Sequence, residues 1–134
     1  MSDTPSLDPA LQALVERVQQ ARAARGTLCI RGADTKSFYG EAPHGEPLDM
    51  RGLSGISSYE PTELVVTVRA GTKLAELEAV LAEEGQCLAF EPPRFAAGGT
   101  VGGMVAAGLS GPSRAAAGAV RDHVLGLTLL NGRA

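Results

Sequence analysis

Seven of the seventeen glycines fall between Gly98 and Gly118, and Arg114 is the only charged side chain in that stretch. Such a segment cannot sustain a long regular helix or strand, because each glycine loses more backbone freedom on folding than other residues and adds no side chain to a core. Its glycines serve close approach instead. A second glycine-bearing loop, Arg31-Gly32-Ala33-Asp34-Thr35-Lys36, follows a short apolar run. Main-chain N–H groups without a Cβ in the way can converge on phosphate-like oxygens, so two such loops point to a large anionic ligand. Taken alone, Gly98–Gly111 also suits tight helix packing or a flexible linker, and the Arg31 loop suits a plain strand-to-turn connection.

The chain has 134 residues, 44% of them hydrophobic and 20% charged, which is enough for one domain with a real core and excludes disorder. Its formal charge of −3, without a basic stripe, argues against a nucleic-acid surface. Cys29 and Cys87 sit in apolar strand-like runs outside any metal-ligand spacing, so both are expected to be buried reduced thiols, and no metal site is expected. Met1-Ser2-Asp3-Thr4 opens no secretory leader and no run is long enough to span a membrane, which makes the cytoplasm the expected compartment.

Asp8-Pro9 supplies an N-cap and a first-turn proline, and Leu11, Leu14, Val15 and Val18 then recur at helical spacing until Gly26. Thr27–Ile30 reads as a short buried strand, Asp49–Arg51 as another, and Leu64–Arg69 as the strongest strand of all. Thr72 is placed to cap a helix carrying Leu74, Leu77, Val80 and Leu81 on one face, with Gly85 ending it. Cys87–Phe90 reads as a strand stopped by Pro92-Pro93. Val101, Met104, Val105 and Leu109 share the face of a short helix, Ser110–Ser113 is a loop, and Val124–Leu130 reads as a further strand. The order is that of a small α/β layer.

Boundaries are expected at three places: an N-terminal helix over 1–25, a first unit over 26–95, and a glycine- and alanine-rich second unit over 96–134. The closing Asn131-Gly132 is a turn that ordinarily leads into a partner strand, so the second unit is expected to be incomplete. His44 and His123 have no catalytic companion and are expected in structural or solvated roles. Arg121-Asp122 reads as a local ion pair or turn former, and Glu76, Glu78, Glu83 and Glu84 as the wet face of a helix.

Four features in order carry a resemblance: the strand entering Arg31-Gly32-x-x-Thr35-Lys36, the Glu60-Pro61-Thr62 to Gly71-Thr72 unit, Gly98-Gly99-Thr100-Val101-Gly102-Gly103, and Gly118 to Gly126. Over residues 25–134 the chain resembles the FAD-binding domain of the vanillyl-alcohol-oxidase-type (PCMH-type) flavoproteins. Ile30-Arg31-Gly32, Phe38-Tyr39-Gly40 and Gly118–Asp122 are most similar to the FAD-binding subunits of bacterial glycolate oxidases within that family.

The resemblance implies an α/β (α+β) fold with a complete small first subdomain and a truncated second one. It implies that Gly32, Ala33, Asp34, Thr35, Lys36 and Ser37 hold the FAD pyrophosphate. Gly98, Gly99, Thr100, Gly102, Gly103, Ser110, Gly111 and Gly118 would run beside the rest of the cofactor, with Val124 near the adenine. The glycines usual in the first loop are here Gly32-Ala33-Asp34, and a carboxylate beside a diphosphate must point outward or pair with Lys36 or Arg31. Members that tether flavin covalently carry a His where Thr35 stands, so FAD is expected to be noncovalent.

The implied activity is flavin-dependent oxidation of a 2-hydroxy acid, glycolate to glyoxylate. The implied partners are a second flavin subunit and an iron–sulfur subunit, with that complex as any route to a membrane. Catalytic residues would then lie beyond Ala134, leaving residues 1–134 inactive alone. A scaffold subunit that kept the fold, or a self-sufficient dehydrogenase for a substrate such as D-lactate, are the alternatives.

Overall fold

A computed structural model describes residues 8–134, so the reading of Met1–Thr4 lies outside the described residues. Asp8 opens helix α1 (Pro9–Ala23), its Oδ1 accepting from the N–H of Ala10 at 2.9 Å and of Leu11 at 3.4 Å. The same carboxylate accepts from Arg69 at 2.8 Å, which ties the helix start to the end of a strand and holds Asp8 below its usual pKa. Leu14 and Val18 are the buried positions of α1. Arg25, with φ 52°, makes the left-handed turn at its end, one residue before the expected Gly26.

Strands β1 (Leu28–Arg31) and β2 (Glu46–Asp49) pair in parallel, Leu28 opposite Glu46 and Arg31 opposite Asp49. Both differ from expectation. β1 buries only Cys29 and leaves Ile30 73% exposed, because alternate residues of a two-stranded sheet face opposite sides. β2 ends where the expected strand began, since Arg51 folds back onto Asp49 in a turn. Its side chain meets the Asp49 carboxylate at 2.6 and 3.0 Å, and its N–H at 2.9 Å.

Those contacts, the guanidinium first and the main-chain N–H second, lower the Asp49 pKa to about 2. A depressed carboxylate stabilises the fold fully above its unfolded pKa of about 4 and loses that contribution as pH falls through the folded value. Half-exposed partners keep the effect small. Asp49→Asn should therefore lower the thermal midpoint slightly at pH 7, with the gap from wild type narrowing between about pH 4 and pH 2 in parallel melts.

Strands β3 (Ile56–Glu60) and β4 (Val65–Val68) form an antiparallel pair with an irregularity between Ile56 and Ser58. A 3-10 turn over Pro61–Glu63 joins them, and Leu64, with φ 57°, is a turn residue rather than the first of the strand. β3 is absent from the sequence reading because Ile-Ser-Ser-Tyr-Glu lacks an apolar alternation; pairing with β4 makes it a strand.

Helix α2 (Leu74–Glu83) buries Leu74, Leu77 and Leu81. Thr72 does not cap it. Fully buried, its hydroxyl accepts from Gly55 N–H at 2.9 Å and donates to Gly55 carbonyl at 3.1 Å, stapling the loop before β3 to the end of β4. Cys87–Phe90 is not a strand: it finds no ladder partner among the described residues, and Phe90 is held by burial instead. Cys87 is exposed, contrary to expectation, whereas Cys29 is buried.

Helices α3 (Val101–Ala107), α4 (Arg114–Ala117) and α5 (Val120–His123) complete the order. Val124–Leu130 runs on without strand pairing among the described residues. Val124 and Leu130 pack inward while Leu125, Leu127 and Leu129 stay exposed, so apolar content alone did not make a strand. The Asn131 turn does form, Ala134 N–H reaching Asn131 carbonyl at 3.1 Å.

Two apolar clusters anchor this mixed α/β fold. One joins Leu74, Phe90, Met104 and Val120, and the other joins Leu14, Val18 and Leu48. No described helix is long and apolar enough to cross a membrane.

Candidate functional site

The first glycine loop leaves the carboxyl end of β1, the end at which ligands gather in parallel α/β arrangements. Asp34 takes the left-handed conformation there, with φ 57°, and its carboxylate lies 3.8 Å from the Arg31 guanidinium. The acid still lines the cavity beside this loop, but the nearby guanidinium partly offsets its charge. Cys29 and Asp34 beside it raise the Arg31 pKa further, so this cation is permanent. Among the described residues, no main-chain hydrogen bond is donated by the N–H groups from Gly32 to Lys36. These residues are exposed or half-buried, so their donors stand open to a ligand or to water.

The second glycine segment is brought up against this loop by its own anchors. An isolated bridge between Lys73 and Thr100 gives Leu74 N–H to Gly99 carbonyl and Val101 N–H to Thr72 carbonyl, both at 2.8 Å. Thr100, buried, then caps α3 through Gly103 N–H at 3.2 Å. Gly32 faces it so closely that a Cβ there would stand 2.7 Å from Thr100 Oγ1. A Cβ at Gly98 or Gly99 would stand 3.8 Å from Ala33 Cβ or Thr35 Oγ1, an ordinary contact distance. The N–H groups of Gly98 and Thr100 also lack main-chain acceptors among the described residues, whereas Gly99 closes a turn over residues 97–98.

Between the loops lies a cavity of about 290 Å³, lined by Gly32 through Ser37 with Thr100 and Gly103, and by Arg31, Tyr39 and Glu41. Lys36 and Arg31 supply the cations. Tyr39 belongs to a motif used for the resemblance, whereas nothing in the sequence marks Glu41 as a lining residue.

The remaining expected residues sit elsewhere. Gly102 is pressed onto Ala70, and its N–H donates to the Ala70 carbonyl at 2.8 Å, so the helix start packs on the β4 end at that point. Ser110 and Gly111 line a second concavity of about 520 Å³ with Pro112, Arg114 and Ala115. Ser110 Oγ accepts from Val120 N–H at 3.2 Å and Gly111 donates to Glu91 carbonyl at 2.8 Å. Ser113, through its N–H first and its side chain second, lowers the pKa of Glu91. Gly118 abuts Asp122, and Val124 packs on the Phe90 cluster.

The histidines stay away from the cavity. His44 is exposed, and His123 lies over Phe90 at 5.3 Å with Nε2 2.9 Å from Ala117 carbonyl. Asp122 acts as a turn former, accepting from Ala119 N–H at 2.8 Å, with Arg121 only 3.9 Å away. Glu78 is not merely wet, since it pairs with Arg94.

Open main-chain donors, the missing side chains at Gly32 and Gly103, and two cations, Arg31 and Lys36, at the cavity wall together fit the diphosphate of a dinucleotide cofactor. Over residues 10–134 the sequence matches the family described as FAD binding domain. The chain belongs to that family. FAD is thus the cofactor of this FAD binding domain. Glycolate oxidase subunit GlcE of Escherichia coli (strain K12) is 48% identical to it over 121 residues, 90% of this chain and 35% of that protein. The FAD binding domain described here therefore spans about a third of the length of that relative. No solved structure matches the chain.

Proposed function

We propose that this FAD binding domain holds the cofactor's diphosphate between Gly32–Ser37 and Gly98–Thr100, within a subunit that oxidises a 2-hydroxy acid, glycolate to glyoxylate. The row of N–H groups from Gly32 to Lys36 without a main-chain acceptor among the described residues carries the reading, because a bound diphosphate would engage them. When bound, FAD supplies the acceptor for the hydride equivalent lost from C2 of the hydroxy acid. The chain's own part is to hold and orient: main-chain donors and Lys36 meet the anion, Arg31 occupies the Asp34 carboxylate, and Thr100 keeps the second loop at its distance.

The glycolate assignment rests on likeness to GlcE, as does the assembly we propose with a second flavin subunit and an iron–sulfur subunit in the cytoplasm. We further place a first subdomain at 26–95 and a second from 96 onward, after a helix within 1–25. The Arg31–Asp34 pair weighs against a scaffold whose diphosphate site has decayed, since the departure from glycine is accommodated in place. The intact subunit, assayed on glycolate and D-lactate with and without its partners, tests the substrate. Activity on D-lactate alone and without partners would overturn the glycolate reading.

Thr35 offers no nitrogen for a flavin tether, so the cofactor is held noncovalently. Acid denaturation of the intact yellow protein should release all of its flavin into the filtrate. Flavin absorbance remaining with the precipitated polypeptide contradicts this.

A further inference from the structure

Of three phenylalanines and two tyrosines in the chain, Phe38 and Phe95 meet edge to face at the surface, one from each glycine-bearing segment. Their ring centroids are 4.9 Å apart with an interplanar angle of 76°, the arrangement in which the positive edge of one ring meets the negative face of the other. Phe38 is 65% exposed and Phe95 47%, so neither belongs to an apolar cluster of the fold. A pair of rings in water is an unusual place for two of so few aromatics.

What the pair spans explains it. Among the described residues no hydrogen bond and no ion pair joins residues 32–43 to residues 91–103. The two segments otherwise touch through small groups, Gly98 at Ala33, Gly99 at Thr35 and Gly32 at Thr100. Backbone hydrogen bonds between the loops would consume the donors that a diphosphate needs. An aromatic contact joins them without consuming any.

We propose that Phe38 and Phe95 form a clasp that sets the spacing of the two loops before FAD arrives, making both of them positioning residues for the cofactor. The proposal rests on the diphosphate site assigned above. Pre-setting the loops removes part of the ordering cost of binding, so opening the clasp weakens affinity without deleting a contact to the anion.

The test uses the intact protein stripped of flavin and three readouts: FAD titration, amide hydrogen exchange of the FAD-free form, and rescue. Phe38→Ala and Phe95→Ala should each weaken FAD binding about three- to tenfold, the range expected for one aromatic pair. The double variant should be no weaker than either single variant, because both remove the same contact. Phe38→Tyr should restore affinity, and Phe38→Leu should not. The hydrogen-bonded amides that flank the loops, Tyr39 on Lys36 carbonyl and Val101 on Thr72 carbonyl, should exchange faster in the FAD-free alanine variants than in FAD-free wild type.

Unchanged affinity, additive losses in the double variant, full rescue by leucine, or unchanged exchange each overturn the clasp. Protection of the 32–37 amides by FAD in the wild type separately reports on the site. Protection there with no effect of the variants sinks the clasp alone, and its absence sinks both.

Discussion

Replacing Gly71 with alanine is expected to lower the thermal midpoint by about 10 °C or more. Gly71 ends β4 inside a ring of main chain: its N–H donates to Leu53 carbonyl at 2.7 Å, and an added Cβ would run into Met50 carbonyl and lie 2.7 Å from Leu53 carbonyl. Backbone atoms cannot swing aside as a flexible side chain does, so the turn following β2 must move as a unit. That turn also carries the Asp49–Arg51 contacts, and the next residue, Thr72, staples Gly55. Overpacking ordinarily costs about 1–3 kcal/mol, and a clash with two carbonyls belongs at or beyond the upper end, a large share of a typical stability of about 5–15 kcal/mol. Circular dichroism and thermal melts of the variant check this; a midpoint within a few degrees of wild type would refute the packing described.

The second large effect is on the cofactor rather than the fold. Gly32→Val should reduce FAD affinity about tenfold to a hundredfold while leaving far-UV circular dichroism unchanged, since charged hydrogen bonds contribute roughly 1.5–3 kcal/mol each and the variant displaces one or two of them. The physical cause is the 2.7 Å that would separate a Cβ at position 32 from Thr100 Oγ1. Thr100 is buried and occupied in capping α3, so the first loop must yield, carrying its N–H row away from Gly98 and Gly99. Combining Gly32→Ala with Thr100→Ala should restore part of the affinity lost in Gly32→Ala alone, because the obstructing hydroxyl is gone. Equal flavin retention by Gly32→Val and wild type would place the diphosphate elsewhere.

Much of this was legible in residue order. Asp8-Pro9 announced α1 and the leucine spacing announced α2, and the first glycine loop, Gly32–Ser37, does line a cavity that Thr100 and Gly103 of the second segment reach. For Asp34 the chemistry of a carboxylate near an anion left three outcomes open, and the approach to Arg31 is one of them.

The errors have one origin. Cys87–Phe90 and Val124–Leu130 have strand composition, and Ile56–Glu60 does not, yet only the last finds a neighbour to pair with. Strand formation is a property of two segments, and local composition reports on one. Thr72 misled for a related reason, because its hydroxyl answers a loop seventeen residues away rather than the adjacent helix. Ser110 and Gly111 are engaged by Val120 and Glu91, contacts that sequence spacing does not encode.

Because the donors between Gly32 and Lys36 belong to the main chain, alanine scanning across the loop would pass over them in silence. Exchange of Thr35 or Ser37 to alanine keeps the amide in place and removes only a periphery, and Lys36 to alanine removes a cation while leaving its amide untouched. A site written in peptide groups is read by shape, and only changes that bend the backbone, fill its hollows or replace an amide with proline or an ester reach it. Sequence drift in the side chains of this loop is correspondingly cheap, which is how an aspartate can stand where glycine is customary.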